Sequence, residues 1–193
     1  MSEPRSGQKI SNVENLGSVL VPKAHYRSAN KEEGVCFGMT VLWIRGIIQN
    51  NQVEYDYSDF QAELMHNKYT ILGGGKVRGE KGFWDARKKV FKDLNLTMHE
   101  SGSNYFFGTC EDAFDWIKTK PLTVFSIKVP GHAIAAYYKR PNVYYFDPNY
   151  GVYEYANIND FCIYAYLHAF FEYCDWQAGT PEREVFILPI EST

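Results

Sequence analysis

Four short segments between residues 122 and 156 constrain the fold most: "LTVFSIKV", "HAIAAYYK", "NVYYFD" and "GVYEYA". Each segment is rich in β-branched and aromatic residues, and Pro, Gly and Asn residues separate one segment from the next. This pattern is typical of consecutive β-strands joined by short turns. We therefore predict an antiparallel sheet in the second half of the chain.

Helical patterns precede and follow these strands. Apolar residues recur at positions 37, 41, 44 and 48, which is the spacing of one helical face. Further helices are predicted in "YSDFQAELMHNKY", in "FWDARKKVFKDL", from Cys110 to about Thr119 and from about Asn157 to Cys174, and a last strand in "REVFILPI". The predicted order begins with helices, continues with a sheet and ends with one more helix and one more strand. This order indicates an α+β domain rather than an alternating βαβ fold.

The composition limits the number of domains and the class of partner. With 193 residues, of which 45% are hydrophobic, the chain can form one domain with a substantial core. We expect residues 1–20 to form a polar, flexible arm and residues 21–193 to form the single domain. The formal net charge of -3 argues against a nucleic-acid partner, because neutralising phosphates requires a cationic surface. A protein or small-molecule partner is expected instead.

Membrane insertion and disulfide bonding are also not expected. The longest apolar run, "FCIYAYLHAFFEYC", spans 14 residues, a length that predicts a buried helix rather than an integral membrane segment. The cysteines at positions 36, 110, 162 and 174 are too few and too irregularly spaced for a disulfide framework or a paired metal site. We expect reduced thiols, no metal, no cofactor and a cytosolic place of action. The opening residues "MSEPRSGQK" lack the apolar stretch of a cleavable signal peptide.

Two of the four thiols lie at predicted helix starts, where the positive end of the helix dipole stabilises a thiolate. Cys36 begins the helix of "CFGMTVLWIRGI", and Cys110 follows Thr109, which forms a capping-box pattern with Asp112. The dipole argument therefore yields two candidate nucleophiles and does not choose between them.

A cysteine nucleophile also needs a base within hydrogen-bond reach and a group that orients the base. If "KRPN" closes a hairpin with positions 138 and 143 opposite each other, Asp147 faces position 134. His132 is then the diagonal neighbour of Asp147 on the same face of the sheet, within reach of its carboxylate. Structural interpretations stay open as well, with His132 at the end of a strand and Asp147 in a turn before a proline.

Three segments that occur in the order Cys, His, Asp carry a family resemblance: "GVCFGMTVLWI", "GHAIAAYY" and "YYFDPNYGVYEY". From about Gly34 to Tyr155, the sequence resembles the YopT-type cysteine proteases, bacterial effectors with a papain-like fold that are delivered into animal or plant cells. The resemblance implies Cys36 as the nucleophile, His132 as general base and acid, and Asp147 as the group that orients the imidazole. Cys110 then becomes a structural thiol.

The resemblance further implies an acyl-enzyme mechanism and an oxyanion hole built from the backbone N–H of Cys36 and an upstream side-chain amide. Asn30 is the candidate donor, because its amide lies six residues before the thiol. The implied partner is a host protein substrate, and a secretion chaperone is a candidate second partner. The implied localisation is secretion by a bacterium without a cleavable signal peptide, followed by action in the host cytosol.

Two other functions use the same residues. A glutamine deamidase or transglutaminase could employ the same triad on the same fold, attacking a side-chain amide instead of a peptide bond. A catalytically silent binding module could present some of the Tyr and Phe residues as a contact surface.

Overall fold

The computed structural model describes residues 8–11, 35–72, 80–99, 106–120, 123–174 and 184–193. Its helices are α1 (Cys36–Asn50), α2 (Asp59–Ile71), α3 (Glu80–Asp93), α4 (Cys110–Ile117) and α5 (Ile158–Ala169), which continues as a π-helical turn over Phe170–Cys174. Its strands are β1 (Gln8–Ser11), β2 (Leu96–Met98), β3 (Phe106–Thr109), β4 (Thr123–Val129), β5 (His132–Lys139), β6 (Asn142–Asp147), β7 (Gly151–Tyr155) and β8 (Glu184–Ser192).

All eight strands join one sheet, in the order β1-β7-β6-β5-β4-β8-β2, with β3 also paired to β8. Every pairing is antiparallel. The four segments that the sequence predicts as consecutive strands are β4 to β7, each paired with the next. The last predicted strand, β8, lies inside the sheet, where it pairs with β4 on one side and with β2 and β3 on the other.

Three short strands were not predicted from the sequence. β2 and β3 are three and four residues long, so neither shows an alternating pattern of useful length, and both are held by β8. β1 lies within the expected polar arm, yet it pairs with β7 at the edge of the sheet. The remainder of residues 1–20 lies outside the described residues.

Helix α1 packs its whole circumference inside the protein, except near its C-terminal end. Eleven of its residues are buried, including Trp43, whose indole stacks on Phe146 of the sheet with ring centroids 5.4 Å apart. The Thr40 hydroxyl donates a hydrogen bond of 3.0 Å to the backbone carbonyl of Ala133 in β5. The helix ends at Asn51, which adopts the left-handed conformation and donates its N–H to Ile47. These contacts fix α1 against the first residues of β5.

The sheet carries an apolar core on each face. Helices α1, α2 and α3 cover one face, where alternate strand residues such as Ala133, Ala135 and Phe146 are buried. Helices α4 and α5 cover the other face with residues of the opposite parity, such as Ile134 and Tyr145. The α+β prediction is confirmed by this arrangement. No helix among the described residues is long and apolar enough to cross a lipid bilayer.

Candidate active site

The hairpin formed by β5 and β6 brings His132 and Asp147 together. Tyr138 pairs with Val143, as the sequence predicts, and the pairing continues to Ala135 and Phe146. The diagonal relation between His132 and Asp147 follows from this register, and His132 Nε2 lies 3.0 Å from Asp147 Oδ1. The predicted juxtaposition of imidazole and carboxylate is therefore present.

The turn before β5 determines where His132 stands. Val129 and His132 pair across the turn, leaving Pro130 and Gly131 between them. Gly131 has a φ of 65°, a conformation that glycine adopts without steric cost and that suits a Pro-Gly turn. His132 is thus the first residue of its strand, at the end of the sheet.

Asp147 has no exposed surface, and four donors surround its carboxylate. Besides His132, Oδ1 accepts a hydrogen bond of 2.8 Å from the backbone N–H of Asn149. Oδ2 lies 2.9 Å from His168 Nε2 and accepts a hydrogen bond of 2.7 Å from the Tyr173 hydroxyl. Because an ionised carboxylate only accepts, both histidines present a protonated Nε2 to it. The contact to Asn149 also makes Asp147 a turn residue, as its structural interpretation expects.

The balance of burial and hydrogen bonding keeps the Asp147 carboxyl ionised. Burial by itself raises its pKa, but the positive charge of His132 and the hydrogen bonds from His132 and His168 outweigh burial and hold the pKa well below its usual range. A permanent negative charge therefore faces His132 Nε2.

Cys36 meets the imidazole from the helical side of the site. It is the first residue of α1, preceded by Val35, which makes no side-chain cap, and no acidic side chain lies in the first helical turn. The thiol of Cys36 is hydrogen bonded to the His132 side chain. Because His132 Nε2 is bonded to Asp147, the thiol is assigned to the other ring nitrogen, Nδ1. His132 thus lies between Cys36 and Asp147.

Charges on both sides determine the protonation of His132. Burial lowers the pKa of its imidazole, but the interactions with the Asp147 carboxylate and the Cys36 side chain outweigh burial and raise the pKa to about 9. The imidazole is therefore protonated at neutral pH and can stabilise a thiolate on Cys36. The thiolate of such a pair can attack a carbonyl carbon. The imidazolium, oriented by the buried carboxylate, can then protonate the leaving group.

The other candidates occupy different positions. Cys110 begins α4, as predicted, but its thiol is buried in the core between α4, α5 and the sheet. Asn30, the candidate oxyanion donor, lies outside the described residues. None of the four cysteines, all of which fall in described parts of the chain, forms a disulfide.

Three neighbours of the site were missed from the sequence: Asn149, His168 and Tyr173. His168 interrupts the apolar run "FCIYAYLHAFFEYC". A histidine inside a helix that is otherwise apolar is costly to bury without a partner. That cost was the available signal that His168 contacts a polar group.

Comparison with known proteins gives one family match and several structural matches. The model of the peptidase C58 family, described as Yersinia/Haemophilus virulence surface antigen, matches residues 117–182. This segment includes His132 and Asp147 but not Cys36. No curated protein sequence matches the chain.

Two solved structures share the fold. The crystal structure of the Pseudomonas avirulence protein AvrPphB superimposes with a TM-score of 0.60 at 12% identity, covering 93% of this chain and 99% of that one. PatoxP, a cysteine protease-like domain of the Photorhabdus asymbiotica toxin PaTox, gives a TM-score of 0.50 at 11% identity, covering 97% of this chain and 55% of that one. At such low identities, these likenesses establish the fold.

The fold and the family match together define a papain-like cysteine protease. Within that class, residues 117–182 of the chain are similar to the model of the YopT-type protease family. The family resemblance found in the sequence is thereby confirmed.

Proposed function

We propose that this protease cleaves a peptide bond of a host-cell protein with Cys36 as nucleophile, His132 as general base and acid, and Asp147 as the orienting carboxylate. One observation carries the proposal: the His132 imidazole interacts with the Cys36 thiol on one side and with the Asp147 carboxylate, at 3.0 Å, on the other. Nucleophile, base and orienter in this order are the arrangement that thiol acyl transfer requires.

The reaction runs in two stages. The Cys36 thiolate attacks the substrate carbonyl carbon, and His132 donates its Nδ1 proton to the departing amine as the peptide bond breaks, leaving a thioester on Cys36. His132 then removes a proton from a water molecule, whose oxygen attacks the thioester. The acid product leaves and the thiolate returns, with the proton again on His132.

The oxyanion is expected to bind at the start of α1. The backbone N–H of Cys36 lies at the positive end of the helix dipole, where a developing negative charge is stabilised. Asn30 is proposed as the second donor, six residues upstream.

The place of action follows from the class of protein. The matching family is described as a virulence surface antigen, and both structural relatives are described as an avirulence protein or part of a toxin. We place the activity in the cytosol of a host cell, after secretion without a cleavable signal peptide and with the help of a secretion chaperone. A reducing cytosol suits the reaction, because it keeps a reactive thiol from being oxidised.

The test compares wild type, Cys36→Ala and Cys110→Ala after incubation with host-cell lysate, with new peptide amino termini identified by mass spectrometry. Cys110→Ala is the matched control, because both thiols are buried and both begin a helix. We expect new termini with wild type and Cys110→Ala that disappear with Cys36→Ala.

The same spectra distinguish the rival functions. Glutamine converted to glutamate, or glutamine crosslinks, in place of new termini would indicate a deamidase or transglutaminase. Identical profiles for wild type and Cys36→Ala would contradict the assignment of Cys36 as nucleophile.

A further inference from the structure

The carboxylate of Asp147 has a second imidazole on the side away from His132. His168 Nε2 lies 2.9 Å from Asp147 Oδ2, and the Tyr173 hydroxyl donates to the same oxygen at 2.7 Å. The His168 side chain is only 3% exposed, and Asp147 has no exposed surface. Oδ2 is therefore held by two buried donors that belong to neither the nucleophile nor the base.

Both donors come from one continuous helical segment, at positions five residues apart. In a regular α-helix of about 3.6 residues per turn, such positions point in directions about 140° apart. The chain changes to a π-helical turn over Phe170–Cys174, in which hydrogen bonds run from residue i to i+5. Because a π-helix turns less per residue than an α-helix, the change of geometry before Tyr173 brings positions five apart closer to one face. The side chains of His168 and Tyr173 both reach Oδ2 of Asp147.

Tyr173 connects this pair to the base as well. Its ring stacks on the His132 imidazole, with centroids 4.4 Å apart and planes inclined by 19°. Its hydroxyl also accepts a hydrogen bond of 3.1 Å from the Asn149 side-chain amide. The same phenol thus limits the tilt of the imidazole and holds the carboxylate.

The surroundings of His168 are aromatic and buried. The phenol rings of Tyr145, Tyr150 and Tyr173 stand edge-on around it, with centroids 5.9, 4.8 and 6.2 Å from the imidazole. The Asp147 carboxylate is the negative charge that faces it. A polar ring enclosed in this way loses its water contacts, and the bond to Oδ2 compensates for that loss.

We propose that His168 and Tyr173 are positioning residues of the protease, which hold Oδ2 of Asp147 so that Oδ1 stays aligned on Nε2 of His132. The inference rests on the proposed function of Cys36, His132 and Asp147. Without the two donors, the carboxylate can rotate about its Cβ–Cγ bond, and His132 loses the fixed partner that keeps Nδ1 directed at the thiol.

The test uses iodoacetamide as a probe of Cys36, so that it needs no known substrate. The rate of Cys36 alkylation is measured by peptide mass spectrometry from acid to alkaline pH. In wild type, the profile should show an upper inflection where His132 loses its proton, at about 9. Without a donor on Oδ2, the Asp147 carboxylate can rotate so that Oδ1 moves away from Nε2 of His132. The imidazolium is then less stabilised, so the inflection should move to lower pH.

His168→Leu removes the donor, and His168→Gln restores one, since the Gln amide nitrogen is as many bonds from Cβ as Nε2 of histidine. We expect a downward shift of about half a unit to one unit for His168→Leu and a return toward wild type for His168→Gln. Tyr173→Phe keeps the ring stacked on His132 but removes one donor, so a smaller shift in the same direction is expected. If His168→Leu does not fold, the shift measured in Tyr173→Phe tests the proposal.

Ala165→Gly is the matched control, because it lowers the stability of the same helix at a buried position whose side chain has no hydrogen-bond donor for Asp147. It should lower the melting temperature without moving the inflection. The inference is overturned if folded His168→Leu or Tyr173→Phe keeps the wild-type inflection, or if Ala165→Gly shifts it as much. Failure of the proposed function looks different: wild-type alkylation would then be unaffected by His132→Ala.

Discussion

At the scale of single residues, the site depends on a buried carboxylate that stays charged. A carboxylate that loses its hydration without compensation is very costly to bury, and here four hydrogen bonds provide the compensation. In all four bonds the carboxylate of Asp147 is the acceptor. A side chain at position 147 that itself donates a hydrogen bond would therefore face a donor and have no acceptor there.

Asp147→Asn tests this requirement, because the amide keeps the shape but turns one oxygen into a donor. Its NH₂ group must face either His168 and Tyr173 or His132 and Asn149, all of which donate. We expect protease activity to fall by about 10³–10⁴-fold, as it does when the orienting carboxylate of a triad is replaced. Cleavage of the substrate found in lysate measures the loss, and activity within a few fold of wild type would contradict the orienting role.

The pKa values of the same pair predict how stability depends on pH. The pKa of His132 is raised from 6.5 to about 9, so its contribution is fully present below about 6.5 and is lost as pH rises through about 9. The pKa of Asp147 is lowered, so its contribution is present above the ordinary carboxyl value of 3.8 and is lost as pH falls below that value.

Stability should therefore decline toward alkaline pH from about 6.5 onward. The unfolding free energy of wild type and of His132→Gln, measured by urea titration across pH, checks this. The mutant should lack the alkaline decline, while the acid decline stays visible. A wild-type curve that is flat between 6.5 and 9 would contradict the raised pKa of His132.

At the scale of elements, α1 has to hold Cys36 against the sheet, and its contact with α2 contributes to this. A Cβ built on Gly38 would lie 2.0 Å from the backbone carbonyl oxygen of Ala62 in α2. The two helices therefore approach at a distance that only glycine permits, two residues beyond the thiol.

Gly38→Ala should force α1 and α2 apart, since the atom in the way belongs to the backbone. We expect a loss of about 1–3 kcal/mol in unfolding free energy, together with slower alkylation of Cys36. Gly46→Ala is the matched control in the same helix, where the added Cβ approaches the hydroxyl end of the Tyr57 side chain to 2.9 Å and meets a backbone atom, the Gln52 carbonyl oxygen, only at 3.6 Å. Equal destabilisation by both variants, measured by urea titration, would disprove the close helix contact.

The elements also explain what the sequence could predict. The β5–β6 register was readable because a short turn and alternating residues determine it, and the pairing of His132 with Asp147 followed from that register. The choice of Cys36 rather than Cys110 as the nucleophile came from the family resemblance, because both thiols begin helices and the helix-dipole argument does not distinguish them. The sequence signals that His168 needs a polar partner, but it does not predict that Tyr173 contacts the same oxygen, because the helix changes to a π-helical turn before Tyr173 and such a turn has no clear sequence signal.

At the scale of the whole molecule, the site draws on both cores. Cys36 belongs to the core under α1, whereas Ile134 and Tyr145, which share the sheet face of His132 and Asp147, belong to the core under α4 and α5. One sheet separates the two cores and supplies side chains to both. Loss of either core should therefore remove the support of the other.

Cooperative unfolding of the two cores is the consequence, as expected for a single domain. Phe161→Ala removes a buried ring that contacts Phe114, Tyr145 and Tyr155 in the second core. We expect it to cost about 3–5 kcal/mol, and to lower the urea midpoint of both cores equally.

Separate probes can follow each core during that unfolding. In a background that carries both Trp116→Phe and Trp176→Phe, the fluorescence of Trp43 and Trp84 reports on the first core, where both residues pack. The second core is followed by pulse alkylation of the three thiols buried there, Cys110, Cys162 and Cys174. Coincident midpoints in wild type, and an equal shift of both midpoints in Phe161→Ala, would support one cooperative domain. If the thiols became reactive at a lower urea concentration than the fluorescence change, the two faces of the sheet would unfold independently, and the single-domain prediction for residues 21–193 would be wrong.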